Sequence, residues 1–177
     1  TSHRFREITD GQPEILELSR AELRTIFAPE VAKSRDVPAP SGVWFHLRRG
    51  DVTATTHPGR FTTLETLLRD AEVVLDAYRF GSPVKTVVGQ IDQLESELLS
   101  KNGFESAKDD DALESLNSLA NAPVLVTGVS SFSYLAALLS SRTVVYRDFW
   151  HPPMSDWVSL ARLHDLRKTA LPQPDVQ

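Results

Sequence analysis

The sequence predicts an α/β protein, a Rossmann-like, mainly parallel sheet with helices on both faces. Three observations carry this. Short β-branched or apolar runs of strand length recur at 43–47, 84–89, 123–128 and 142–147, each bounded by turn formers. Segments with a 3.6-residue apolar period lie between them. Strands that alternate with helices in this way need crossover connections, which place neighbouring strands parallel and cover both faces of the sheet. The length of 177 residues suits one domain of ordinary size, and 41% hydrophobic against 24% charged residues is enough to bury a core.

Residues 1–17 are polar and unpatterned. Leu18, Leu23, Ile26, Phe27 and Val31 then follow helical spacing, so a short amphipathic helix is expected over 18–33, with Pro29 interfering near its end. Residues 34–42 (SRDVPAPSG) are turn formers that deliver the chain into the first strand. The polar stretch 48–60 is a long loop for a compact domain, and loops of that length are more often functional. Thr62 and Glu65 have the spacing of a capping box, and Leu64, Leu67, Leu68, Ala71, Leu75 and Tyr78 continue a helix to about Phe80.

After the second strand, Asp92 and Glu95 open another helix, which ends near Asn102-Gly103 ahead of a minor edge strand at 104–106. Asp109, Asp110 and Asp111 lead a helix through Leu113, Leu116 and Leu119; they read as a solvated helix start and not as a metal-binding pair. A mostly apolar helix is expected over 130–141. The last stretch reads as a helix end and a loose tail. The chain thus divides into an N-terminal segment (1–42), a nucleotide-binding domain (43–164) and a C-terminal tail (165–177).

The formal net charge of −5 gives no general reason to bind nucleic acid or an anionic membrane, so an anion site would have to be local. No apolar run approaches the roughly 20 residues of a spanning helix, and the first residues lack the apolar stretch of a signal peptide. With no cysteine there is no disulfide, thiolate nucleophile or cysteine-based zinc site, and the compartment stays open.

In an open parallel sheet, ligands lie beyond the carboxyl ends of the strands. The residues to inspect are therefore His46 to Asp51, Gly89 to Asp92, and Gly128 to Ser133. Arg48 and Arg49 at a strand end suit a multi-donor grip on phosphate. Ser130 and Ser131 precede an apolar helix, where they read either as plain caps or as part of an anion site at the helix N-terminus. Together the two groups describe a diphosphate clamp, which sugar-nucleotide transfer requires because charge develops on a nucleoside diphosphate leaving group. Asp51 reads as an orienting partner for Arg48 ahead of a general base. His46 is either a satisfied core histidine or a ligand contact. Trp150 to Pro153 offer an aromatic to stack on a base or sugar, or a rigid turn packed on the sheet. Arg49-Gly50-Asp51 also spells an integrin-recognition tripeptide, a match expected by chance.

FHLRRGD (45–51) resembles the HxRRxD motif of the α1,2-, α1,6- and protein O-fucosyltransferase superfamily, and residues 124–146, with Ser130-Ser131-Phe132-Ser133, resemble its later S-[ST]-F-S motif. The resemblance spans about 43–153 in the right order. It implies the C-terminal, GDP-fucose-binding lobe of a GT-B glycosyltransferase that transfers fucose to an acceptor hydroxyl, on a glycan or a protein, with inversion and without a metal or other cofactor. By the same resemblance Arg48 holds the β-phosphate, Arg49 assists, His46 shapes the nucleotide pocket, and Ser130, Ser131 and Phe132 line the phosphate and ribose side; Arg48 and Asp51 are the catalytic candidates. A Golgi-type lumen is implied for a eukaryotic member and the cytoplasm for a bacterial one.

The chain departs from the pattern where it has Gly89 and Pro123 in place of polar groups, and Val52 and Thr56 where the α1,6 branch has Lys and Glu. About 40 residues before Val43 are too few for the family's preceding acceptor lobe, so the chain is expected to be either a donor-domain fragment or a fold used without full catalysis. The alternative expectation is therefore a non-catalytic transferase-like module serving a larger assembly. A generic phosphate-binding Rossmann enzyme is disfavoured, since no G-x-G-x-x-G follows the first strand.

Overall fold

The computed structural model describes residues 13–33, 42–79, 83–107 and 111–170. The chain runs α1 (Pro13–Lys33), β1 (Val43–His46), α2 (Leu64–Tyr78), β2 (Lys85–Val88), α3 (Gln93–Lys101) and β3 (Phe104–Ala107). It continues with α4 (Ala112–Asn121), β4 (Val124–Val126), α5 (Ser131–Leu139), β5 (Thr143–Tyr146), β6 (Val158–Ser159) and α6 (Leu160–Ala170).

The six strands form one sheet in the order β3-β2-β1-β4-β5-β6, and every pairing is parallel. The expected α/β, Rossmann-like class is the observed one. The winding reverses between β1 and β4, so the crevice beyond their carboxyl ends is the topological switch point.

Alternation along the strands builds a separate core on each face. Val43, Phe45 and Leu47 point with Val87, Val124, Val126 and Val145 toward Leu67, Ala71 and Val74 of α2 and Leu99 of α3. Leu125, Val144 and Tyr146 point the other way, onto Leu116 and Leu119 of α4 and Ala136, Ala137 and Leu139 of α5, with Leu16 of α1 packed on the outside. The β-branched strand runs are legible in sequence because both faces are covered.

The caps behave as small-residue chemistry dictates. Asp92 accepts from the Glu95 N–H and Asp111 from Leu113 and Glu114, each satisfying free donors of a first turn. Gly103 takes φ +73° between α3 and β3, the left-handed conformation that a side chain disfavours.

Four expectations need correction. Helix α1 begins at Pro13, five residues before the expected start, because proline fits the first turn, where its missing N–H is not needed. It also continues through Pro29. The cap of α2 is Thr63, which accepts from the Thr66 N–H, so Thr62 and Glu65 do not form the expected box. Thr62 is buried, and its carbonyl accepts from Arg49 instead. Strand β6 was not foreseen, since two residues carry no periodicity, and α6 runs on through 165–170 where a tail was expected. The linker at 34–41, Phe80, Asp109, Asp110 and the tail at 171–177 lie outside the described residues. No described helix is long and apolar enough to cross a membrane.

Candidate functional site at the sheet switch point

The carboxyl edge around β1 is tight. A Cβ on Gly89 would drive into the Leu47 carbonyl, and one on Gly128 into the His46 carbonyl. Glycine here lets the chains leaving β2 and β4 pass close to the chain leaving β1.

His46 ends β1 on the same face as Trp44. It is 4% exposed, and its ring lies against Phe132 of α5, centroid to centroid 5.4 Å. Its Nδ1 has no hydrogen-bond partner among the described residues. Burial, and then the nearby charges of Arg48 and Arg49, push its pKa down to about 3. The imidazole is therefore neutral at physiological pH. An unfolded chain would take up a proton near the ordinary value of about 6.5. Between the two values the unfolded state binds more protons, so stability rises with pH across that window and is lost as pH falls through it. Moving from pH 7.5 to pH 5 is expected to cost about 2 kcal/mol through this group alone. Urea titrations of wild type and His46→Phe at the two pH values check this; an equal pH dependence in both would contradict it.

Arg48 is half-exposed and pairs with Asp51 at 2.5 Å, an ion pair open to solvent. Its Nε is buried and has no partner among the described residues. Asp51 is thus the ion-pair partner of Arg48. The charges of Arg48 and Arg49 both act on His46, so this end of β1 is electropositive.

Arg49 is directed elsewhere. Its side chain is 7% exposed, and Nε and Nη2 grip both carboxylate oxygens of Glu95 at 2.5–3.1 Å. Nη2 also donates to the Thr62 carbonyl, Nη1 to the Arg48 carbonyl, and the guanidinium lies 4.3 Å from the Phe61 ring centroid. The expectation that both arginines face a phosphate is corrected here. Consecutive side chains along an extended segment point to opposite sides, so only one of the pair can face the α5 side. Arg49 ties the loop after β1 to α2 and α3.

Across the switch point, Ser130 caps α5 by accepting from the Phe132 N–H, and Ser133 Oγ accepts from the Gly128 N–H in a fully buried turn. Ser131 is exposed, with Oγ 3.3 Å from His151 Nε2. His46 and Phe132 are thus in contact, and Ser130 and Ser131 lead the same helix turn. Asp92 is a helix cap away from this turn.

The segment after β5 packs onto the edge. His151 stacks on Tyr134, whose hydroxyl donates to the Pro152 carbonyl, and Tyr146 donates to the His151 carbonyl. Trp150 holds Arg60 over its ring at 5.3 Å, joining this segment to the loop after β1. A rigid turn is what this stretch forms, with Trp150 partly open.

Sequence reasoning missed the buried polar centre beneath this edge. Asp70 of α2 is 2% exposed and accepts from Arg147, just past β5, and lies 2.7 Å from His164 Nε2 of α6. The available signal was an aspartate inside the apolar stripe of Leu67, Ala71 and Val74. Among the described residues no cluster of three or more His, Asp or Glu could hold a metal ion.

No protein-family model matches the sequence. No curated protein matches it either. Among solved structures it is similar to POFUT1 in complex with GDP, at 15% identity and a TM-score of 0.46, over 67% of this chain and 47% of that one. It is similar also to POFUT1 in complex with GDP-fucose, at 16% identity and a TM-score of 0.45, over 68% of this chain and 45% of that one. The chain spans about half the length of these neighbours.

Proposed function

We propose that the chain is the donor-binding half of a sugar-nucleotide glycosyltransferase of fucosyltransferase-like type. GDP-fucose is the donor that the HxRRxD-like and S-[ST]-F-S-like motifs suggest. In this reading its diphosphate lies at the switch point, between Arg48 and the first turn of α5. Arg48 and the free N–H groups of α5 stabilise the negative charge that grows on the diphosphate as the glycosidic bond breaks, without a metal. The sugar passes with inversion to an acceptor hydroxyl.

The observation that carries this reading is Arg48 itself. It is a guanidinium just past β1 at the switch point, with a solvent-exposed ion pair and a buried Nε lacking a partner among the described residues. Asp51 holds the guanidinium in place until an anion arrives. Arg49 fixes the loop and leaves the diphosphate to its neighbour. Calorimetric titration with GDP tests the assignment. Loss of one charge-assisted grip of about 1.5–3 kcal/mol should weaken GDP binding roughly 10- to 100-fold in Arg48→Ala. Equal affinity in the two proteins would refute it.

A second reading, a non-catalytic transferase-like module in a larger assembly, is favoured by the Arg49–Glu95 pair, which takes one of the two cations out of the crevice. That reading expects no Arg48-dependent binding of GDP and no release of fucose from GDP-fucose.

A further inference from the structure

A cavity of about 380 Å³ lies between α1 and α5. Ile15, Leu16 and Leu23 form one wall, and Tyr134, Leu135 and Leu138 the other. Ser131 and Leu138 are seven residues apart on one helix, so the space runs about 10 Å along α5.

Polar tethers fix the position of α1 relative to α5 and the 155–156 segment. Arg20 of α1 makes a two-pronged ion pair with Asp156 at 2.6 and 2.9 Å, and Glu17 accepts from Ser155. Arg24 donates from Nε to the Leu138 carbonyl at the far end. An apolar gap of this size would otherwise be expected to close, because filling it recovers dispersion contacts and removes surface from water. Its volume falls in the range of small-molecule sites, which combine apolar walls with a few placed polar groups.

The polar groups are gathered at one end. Ser131 and His151, 3.3 Å apart, line the same cavity. Ser131 is also the first residue of the helix whose start faces the diphosphate in the reading above. Arg20 lines the side, 6% exposed, with its Nε lacking a partner among the described residues. A glycan would bring hydroxyls against walls of leucine and isoleucine, and each unmatched hydroxyl would lose its water without replacement.

We propose that this cavity takes the apolar body of an acceptor alcohol or phenol, with its hydroxyl presented at the Ser131–His151 mouth toward the donor sugar. The inference rests on the donor-binding reading for the word acceptor, but the cavity and its ligand class stand on their own geometry.

The test uses 4-methylumbelliferone, a compact phenol, titrated by fluorescence against the chain with and without GDP. Saturable binding is expected, weakened about tenfold or more by Leu23→Trp and by Leu135→Trp, which fill the space from opposite walls. Leu94→Ser, on the exposed side of α3, should leave it unchanged. Because the tryptophan variants could misfold, leucine-methyl NMR of the wild type supplies a second reading: Leu23, Leu135 and Leu138 should shift on adding the phenol. Arg48→Ala should keep phenol binding; in the wild type, phenol binding without GDP binding would sink the donor reading alone. Absence of saturable phenol binding, wild-type affinity in both filled variants, or methyl shifts confined to other leucines would overturn the cavity assignment.

Discussion

Replacing Asp70 with alanine is expected to lower the unfolding free energy by about 3–5 kcal/mol, the usual cost of removing one partner from a buried charge pair. The carboxylate is 3% exposed as a side chain and holds two groups from distant parts of the chain, Arg147 just past β5 and His164 of α6. Without it the Arg147 guanidinium, 20% exposed and with a buried Nε already lacking a partner among the described residues, is left uncompensated. A domain with a typical stability of about 5–15 kcal/mol would lose a large share of its margin. Asp70→Asn should cost less, since the amide still accepts one hydrogen bond and keeps the volume. Urea unfolding at neutral pH measures both. A change within about 1 kcal/mol for alanine would mean that the centre is solvated and contributes little.

Glu95→Ala should be the next most damaging change, at about 3 kcal/mol. It strips the carboxylate from a guanidinium whose side chain is 7% exposed, while the carbonyls of Thr62 and Arg48 satisfy part of the loss. Replacing the whole pair should behave differently from breaking it. Arg49→Met with Glu95→Leu replaces both charges by apolar groups, avoids the desolvation of either, and should be less destabilising than Glu95→Ala alone. If the double variant is the worse of the two, the ion pair itself is stabilising. The loop after β1 is anchored through Arg49, so Glu95→Ala and the double variant should both weaken GDP binding by loosening Arg48.

Much of the fold was legible because local and long-range preferences agree. The strand runs 84–89, 123–128 and 142–147 are β-branched or apolar on both faces, as a covered parallel sheet demands. Asp92 and Asp111 are the caps their spacing suggests. The α1 boundary was hidden because Leu16 is its one buried apolar residue before position 18, and the cap of α2 slipped by one because Thr62 and Thr63 are chemically identical. Only tertiary context, the Arg49 guanidinium seeking the Thr62 carbonyl, separates them.

The site divides in the same way. Its location at the ends of β1 and β4 follows from strand order, and Arg48, His46 and the Ser130 turn were visible in the sequence. Nothing in the string RRG tells which arginine turns inward. That choice depends on Glu95, which stands 46 residues away and looks like an ordinary first-turn acid. Asp70, Arg147 and His164 are likewise brought together from three separate elements, and only the break in the α2 stripe announced them.

The central claim is that one diphosphate lies between Arg48 and the first turn of α5. Amide NMR of the chain titrated with GDP tests it most directly. Saturable shifts are expected at Arg48 to Asp51 and at Ser130 to Ser133 along a single binding curve, both lost in Arg48→Ala. Shifts confined to other parts of the molecule, or shifts that persist unchanged in Arg48→Ala, would contradict it.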